Sequence, residues 1–412
     1  MSLMEKGSYS MWRLSGLRRI RPSMTSPVKA DLIMAARSRD SDYSNLPNIS
    51  KGPRKEESEK KEVTRQVLHH ILSTIQVPAM ATSQTHWVIV ALETFFCPLP
   101  DFTLPAPHTC EFRNYERTRP DQIAERIKDA DIVIMTILPL TAEVLSAEVT
   151  PRLKMVSVIA SGTDTVDLAA CRARGIVVGN TPHCNVTTVT EHVLALYFAT
   201  RRSIMLTHNL TRAGDWATKG SQQSTMNGPD GKAPRTCRDE VVGIIGYGAI
   251  GRNIDVAAKT LGMKTLIAGR KGALATEGRV PFETVIREAS VLVVVLPRSP
   301  ETLNLISTTE FDSMKPYGLL INVSRGGIVD ENALVAALRE GKIAGAGTDV
   351  YSREPAEPGS NVLLAADTAE LNLVMTPHVA WYSEETFDNY SRTCRANIAG
   401  FVTAGQPEHR VC

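Results

Sequence analysis

From residue 86 the chain alternates short, continuously apolar runs with longer stretches whose apolar residues recur three and four apart. "HWVIVALE", "DIVIMTIL" and "LKMVSVIA" have the length of strands, and "DQIAERIKDA" between the first two has the period of an amphipathic helix. Strands that are apolar throughout must be covered on both faces, which predicts a parallel sheet between helical layers. A long helical pattern, "VTEHVLALYFATRRSIMLTHNLTRAG", follows and ends at Gly214. The polar, Gly- and Pro-bearing stretch from Asp215 to Glu240 reads as a surface loop. A second series of buried-type strands then starts: "VVGIIG", "KTLIAG", "VLVVVLP", "GLLINVS", "IAGAGTDV" and "NLVMTP". The pattern predicts an α/β fold of two domains, with a boundary near residue 187.

Residues 1 to 84 break this pattern. Residues 1–79 hold 14 Lys/Arg against 8 Asp/Glu, which leaves 32 against 36 for the rest. The segment reads as a poorly ordered basic extension, and its start, "WRLSGLRRIRPSM", has the basic, acid-poor character of a transit peptide. A plain tail is the alternative, and Met80 in "MATSQTHWVIVALE" would be a natural start for the compact part. The body is mildly acidic, which gives no electrostatic reason to expect a nucleic-acid partner. No apolar run approaches the roughly 20 residues that span a bilayer, so no membrane partner is expected. The expected location is the cytoplasm, with mitochondrial import of the extension as the alternative. Seven scattered cysteines without CxxC or metal-ligand spacing argue for reduced thiols and against a metal site.

"VVGIIGYGAIGR" is a strand running into Gly246, Gly248 and Gly251. In that context GxGxxG is a dinucleotide fingerprint: a tight turn, a close backbone approach to pyrophosphate, and a helix N-terminus facing the anion. About 20 residues on, where the fingerprint usually places an acid on the ribose hydroxyls, the chain reads "TLIAGRKG". Gly269 makes room there, and Arg270 and Lys271 offer positive charge to a ribose phosphate, so NADP(H) is expected over NAD(H). Arg325, Glu354 and His378 each follow a strand, in "INVSRGGIVDE", "TDVYSREP" and "VMTPHVAW". Parallel strands bring their carboxyl ends to one edge, so the three can meet beside a nicotinamide, as hydride transfer to a keto acid would need.

At these residues the chain resembles the D-isomer-specific 2-hydroxyacid dehydrogenase family, from about residue 86 to the C-terminus. "SGTDTVDLAACRARGIVVGNTP" is similar to the family's substrate loop and following strand, "GYGAIG" to its glycine loop, and "LPRSPETLNLI" to the segment over the cofactor. The resemblance implies that Arg325 binds the substrate carboxylate and polarises the C2 carbonyl. His378 would exchange the proton with the carbonyl oxygen, and Glu354 would hold the other imidazole nitrogen. It implies cofactor contacts at Gly246, Tyr247, Gly248, Ala249, Ile250, Gly251, Arg270, Lys271, Leu296, Pro297, Val323 and Asp349, the last on the nicotinamide side. Substrate contacts would come from Ser161, Gly162 and Trp381. It further implies a Rossmann domain of residues 188–377 inserted into a flavodoxin-like substrate domain of residues 85–187 and 378–412, and a homodimer formed through the cofactor domain.

Two departures stand out. Gly269 and Arg270 replace the family's usual acid, as in its NADPH-using glyoxylate and hydroxypyruvate reductases, and Thr163 stands where an aromatic is common. Trp381 is similar both to hydroxypyruvate reductases and to the C-terminal-binding-protein corepressors. The expected function is therefore reduction of a small 2-oxo acid to the D-2-hydroxy acid with NAD(P)H. A dinucleotide-sensing binding protein is the alternative.

Overall fold

The computed structural model describes residues 85–99, 102–274 and 276–412, so the readings of residues 1–84 lie outside the described residues. The first sheet consists of β1 (His86–Ala91), β2 (Thr109–Asn114), β3 (Ile132–Met135), β4 (Met155–Val158) and β5 (Val177–Gly179). Its order is β2-β1-β3-β4-β5 and every pairing is parallel. Successive side chains of a strand point to opposite faces. Val88 and Val90 accordingly join α1 (Ile123–Ile127) and α2 (Leu168–Arg174), while Trp87, Ile89 and Ala91 face the long α10 (Glu384–Ala404) near the C-terminus. Beyond α10 the tail returns to β5, with Val411 N–H donating to Val178 O and a bridge between Gly179 and Arg410. The exposed edge of the sheet is thereby covered.

The second sheet comprises β6 (Val241–Ile245), β7 (Lys264–Ile267), β8 (Val291–Val294), β9 (Leu319–Asn322), β10 (Gly345–Thr348) and β11 (Leu373–Met375). It is also parallel, in the order β11-β10-β9-β8-β6-β7, and a single bridge from Ala268 to Val280 continues it past β7. One face carries α3 (Val186–Arg201), through Val189, Val193 and Leu196, and α6 (Ala249–Thr260). The other carries α7 (Phe282–Glu288), α8 (Thr308–Ser313) and α9 (Glu331–Arg339). Strand order reverses between β6 and β8 in this sheet and between β1 and β3 in the first. Doubly wound sheets bind ligands at such switch points, outside the carboxyl ends of the strands.

Two elements differ from the sequence reading. The long helix is broken: α3 ends at Arg201, Ser203 takes φ 45°, and α4 (Ile204–Arg212) starts anew. Ser203 occupies the left-handed position that usually holds Gly after a helix, so the sequence carries no stop signal there. The polar stretch from Asp215 is more than a surface loop, because it opens with α5 (Asp215–Lys219) and ends by burying Glu240 completely. The Glu240 carboxylate forms an ion pair with Arg201 at 2.6 Å, both side chains being almost inaccessible. Arg201 also donates to the carbonyls of Tyr317 and Ser290. Removing one member of a buried pair strands the other charge and costs about 3–5 kcal/mol, whereas apolar replacement of both is often neutral. Glu240→Ala is expected to lose stability in that range in urea unfolding, and Arg201→Met with Glu240→Leu is expected to recover at least half of it.

Candidate active site

The glycine loop lies at the switch point of the second sheet. Gly246 has φ 103°, and a Cβ there would sit 2.5 Å from the Val295 carbonyl oxygen at the end of β8. At Gly251 a Cβ would meet the Gly246 carbonyl oxygen at 2.2 Å, so the third glycine lets α6 start directly against the turn. At Gly248, by contrast, a Cβ would have no atom within 4 Å. The protein therefore leaves space above the first turn of α6, Ala249 and Ile250, where unpaired N–H groups and the helix dipole favour an anion. These residues fit a dinucleotide pyrophosphate.

The other residues expected at the cofactor take different positions. Leu296 packs against the loop, its Cδ2 3.1 Å from the Gly246 Cβ position, and Val323 is buried among the strands and α3. Pro297 is exposed, and its carbonyl accepts from Thr302 Oγ1. The Tyr247 hydroxyl donates to Asp255 at 2.8 Å, and the Arg279 guanidinium lies over its ring. Arg270 is exposed; its carbonyl accepts from the Ala273 N–H, and its side chain makes no hydrogen bond or ion pair among the described residues. Its charge, after the Ser299 hydroxyl and a backbone N–H, helps hold the Glu301 carboxyl below its usual range, which sets it facing the "SPET" segment. Lys271 turns elsewhere: its Nζ is 2.8 Å from the mostly buried Glu310 carboxylate and bonds the Leu305 carbonyl. The structure thus commits Lys271 to the fold and leaves Arg270 facing solvent.

Arg325, Glu354 and His378 follow β9, β10 and β11 and are brought to one edge, as the strand-end placement predicts. His378 Nδ1 lies 2.6 Å from Glu354 Oε2, while Glu354 Oε1 accepts the Tyr351 N–H at 2.9 Å. With Nδ1 held by the carboxylate, Nε2 is the nitrogen left to give or take a proton. Burial pushes the Glu354 carboxyl up, but the His378 hydrogen bond and charge, the Tyr351 N–H and the Arg325 charge outweigh it, and the carboxyl lies below its usual value of 4.5.

His378 adopts φ 54°, a region non-glycine residues rarely occupy outside functional sites. The turn is held from below by Asp349, which is inaccessible and accepts from the N–H groups of Val379 and Ala380 and from Thr376 Oγ1. From above, Trp381 Nε1 donates to the His378 carbonyl at 2.9 Å while its ring lies against Phe387 and Tyr390. Asp349 and Trp381, expected at the nicotinamide and the substrate, are both engaged in bracing the His378 turn.

Ser161 and Gly162 lie in the loop that follows β4 of the first sheet. The Ser161 carbonyl accepts from Asn180, and a Cβ at Gly162 would stand 2.2 Å from Arg325 Nη2, so only glycine lets the guanidinium lie on this loop. Asp164, which the sequence reading passed over, reaches Arg325 Nε at 3.2 Å. Its signal was its place two residues beyond Gly162 in the substrate-loop motif. Cys184 is a packing residue: burial pushes its thiol up, and its Sγ contacts Thr393 Oγ1 and the Pro182 carbonyl.

Two parallel α/β sheets, a glycine loop that fits a dinucleotide and a His–Glu–Arg set at the strand ends are the marks of a nicotinamide-dependent dehydrogenase. Residues 194–380 match the NAD binding domain of the D-isomer specific 2-hydroxyacid dehydrogenases. Over 306 residues the chain is 40% identical to glycerate dehydrogenase of Methylorubrum extorquens, covering 74% of this chain and 92% of that one. It is 32% identical to glyoxylate reductase of Pyrococcus furiosus, covering 68% and 82%. Among solved structures, an NADPH-dependent glyoxylate/hydroxypyruvate reductase from Sinorhizobium meliloti superposes with a TM-score of 0.63 at 26% identity, covering 79% of this chain and 97% of that one. The chain belongs to the D-isomer specific 2-hydroxyacid dehydrogenase family and is an oxidoreductase of it.

The lowered Glu354 carboxyl fixes the sign of one pH dependence. A group whose folded value is depressed stabilises the native state above its unfolded value and loses that contribution as pH falls through the folded one. The stability advantage of the wild type over Glu354→Gln is therefore expected to shrink as pH falls below about 4.5, as read by urea unfolding at a series of acidic pH values.

Proposed function

We propose that the protein reduces a small 2-oxo acid, of the glyoxylate or hydroxypyruvate class, to the D-2-hydroxy acid, with NADPH preferred over NADH. The observation that carries this reading is the 2.6 Å contact between His378 and Glu354 at the same strand edge as Arg325. The names of the relatives, glycerate dehydrogenase and glyoxylate reductase, support the substrate class.

When bound, the dinucleotide supplies the hydride. Gly246, Gly248 and the first turn of α6 hold its pyrophosphate, and Arg270 meets the ribose phosphate. Lys271 is left out of that role because a ligand that took it would strand Glu310. Arg325 grips the substrate carboxylate through its remaining N–H groups and polarises the C2 carbonyl, with the backbone at Ser161 and Gly162 completing the carboxylate site. His378 Nε2 donates a proton to the carbonyl oxygen as it gains negative charge, and Glu354 stabilises the imidazolium and keeps the ring aimed. Asp349 and Trp381 act through the His378 turn. Closure of residues 85–187 and 378–412 onto residues 188–377 excludes water from the cleft.

A second copy of the chain is the expected partner. Phe198, Ile204, Met205 and Trp216, exposed on the consecutive helices α3, α4 and α5, support a dimer through the cofactor domain.

Turnover is measured as absorbance loss at about 340 nm with a panel of 2-oxo acids and each cofactor. His378→Ala is expected to lower kcat by about 10²- to 10⁴-fold, the usual contribution of general acid catalysis. A loss below about tenfold would remove His378 from its role. Tight dinucleotide binding without turnover would favour a dinucleotide-sensing binding protein. Arg270→Asp is expected to weaken NADPH binding by about tenfold or more and to spare NADH, as befits loss of a charge-assisted phosphate contact. An unchanged preference would make Arg270 a solvated surface cation.

A further inference from the structure

We propose that Asp164 makes the cleft discriminate by charge, favouring 2-oxo acids with one carboxylate over those with two. The proposal rests on the reading of Arg325 as the carboxylate-binding residue and deepens it by assigning a substrate charge class to a residue outside the His–Glu–Arg set.

The geometry has three parts. Asp164 Oδ2 accepts from Arg325 Nε at 3.2 Å, across from the loop after β4 to the loop after β9. Arg325 Nη1 donates to the carbonyl of its own neighbour Ser324 at 2.9 Å. Nη2 lies over Gly162, close enough that a Cβ would clash at 2.2 Å, and among the described residues it makes no hydrogen bond. A guanidinium presents five N–H groups in one rigid plane. Two anchors, on Nε and Nη1, therefore fix that plane and leave the Nη2 edge as the one that faces a ligand.

The charge consequence is separate from the positional one. Arg325 arrives at the cleft already matched by one carboxylate, Asp164, just as the His378 imidazolium is matched by Glu354. With His378 protonated for reduction, the four groups sum to zero. A monoanionic 2-oxo acid can use the Nη2 donors while adding a single uncompensated charge. A dianion brings a second negative charge into the same space, with both cations of this set already paired. The Asp164 and Arg325 side chains are about half and a third exposed, so solvent screens the repulsion. A penalty on the order of tenfold is what a partly screened charge about 5–6 Å away produces.

Oxamate and oxalate test this without turnover, because they are nearly the same planar shape and differ by one unit of charge near neutral pH. Each is titrated calorimetrically into the full-length protein saturated with NADPH, for the wild type, Asp164→Asn and Asp164→Glu. Thermal melting verifies that each variant is folded. The wild type is expected to prefer oxamate. In Asp164→Asn, which keeps an acceptor for Nε but no charge, the oxalate-to-oxamate affinity ratio should rise by about tenfold, and Asp164→Glu should restore the wild-type ratio. A ratio that changes less than about twofold in Asp164→Asn, or a Glu variant that behaves as the Asn one does, would overturn the role given to Asp164. If NADPH binds but neither anion does, the reading of the cleft as a 2-oxo acid site fails, and this proposal with it.

Discussion

The strand edge that carries His378 depends on one buried carboxylate. Asp349 ends β10 with no contact with solvent, and it is tolerable there only because its oxygens accept two backbone N–H groups and a hydroxyl from residues 376–380. The same bonds oblige the chain after β11 to make a single tight turn, and that turn places His378 in a backbone region it would not otherwise choose. The imidazole is then fixed from two sides: the backbone by Asp349, the ring by Glu354. Tyr351, whose hydroxyl donates to the Thr376 carbonyl at 3.1 Å, ties the Glu354 loop to the same turn. Histidine and glutamate are therefore held in contact by the fold itself.

The topology supplies the rest of the placement. Because the eleven strands of the described residues run parallel within their sheets, each delivers its following loop to one edge. The reversal of order at β6 and β8 opens the glycine loop there, and the reversal at β1 and β3 is stitched by Glu93, which accepts from the N–H groups of Thr136, Ile137 and Leu138. A carboxylate thus organises a strand-end loop in both sheets, once as Glu93 and once as Asp349. The device is the same because the problem is the same: loops at a ligand edge cannot be paired by a ladder, so their donors need side-chain acceptors.

What could be read from the sequence follows from this. The strands of both sheet centres were visible because burial on both faces makes them apolar throughout, and the glycine loop was visible because its turn tolerates no side chain at Gly246 or Gly251. The edge strand β2, "TCEFRN", was not, since half-exposed positions give it a polar composition. The break at Ser203 was hidden because a serine fills a left-handed position without the glycine that would announce it. The partners of Asp349, Lys271 and Asp164 depend on tertiary approach: Arg325 lies 161 residues from Asp164, and no local pattern carries that distance.

The cations of the chain divide into two groups by what holds them, and the division bears on how ligand preference can change. Arg201 and Lys271 each cover an almost inaccessible carboxylate, Glu240 and Glu310. Turning either to a ligand takes the nearest cation from its acid, leaving Glu240 with the Ser290 hydroxyl and the more distant Arg235, and Glu310 with the Ser307 N–H, so loss of a buried pair opposes the move. Arg270 covers nothing, and Arg325 keeps one edge unbonded. Substitution at 270 therefore changes the charge presented to solvent while breaking no internal side-chain bond, whereas substitution one position later loosens the start of α8, where Glu310 also accepts the Ser307 N–H. The adjacent residues of "GRKG" look equivalent in sequence, but physically the first is available for recognition and the second belongs to the fold.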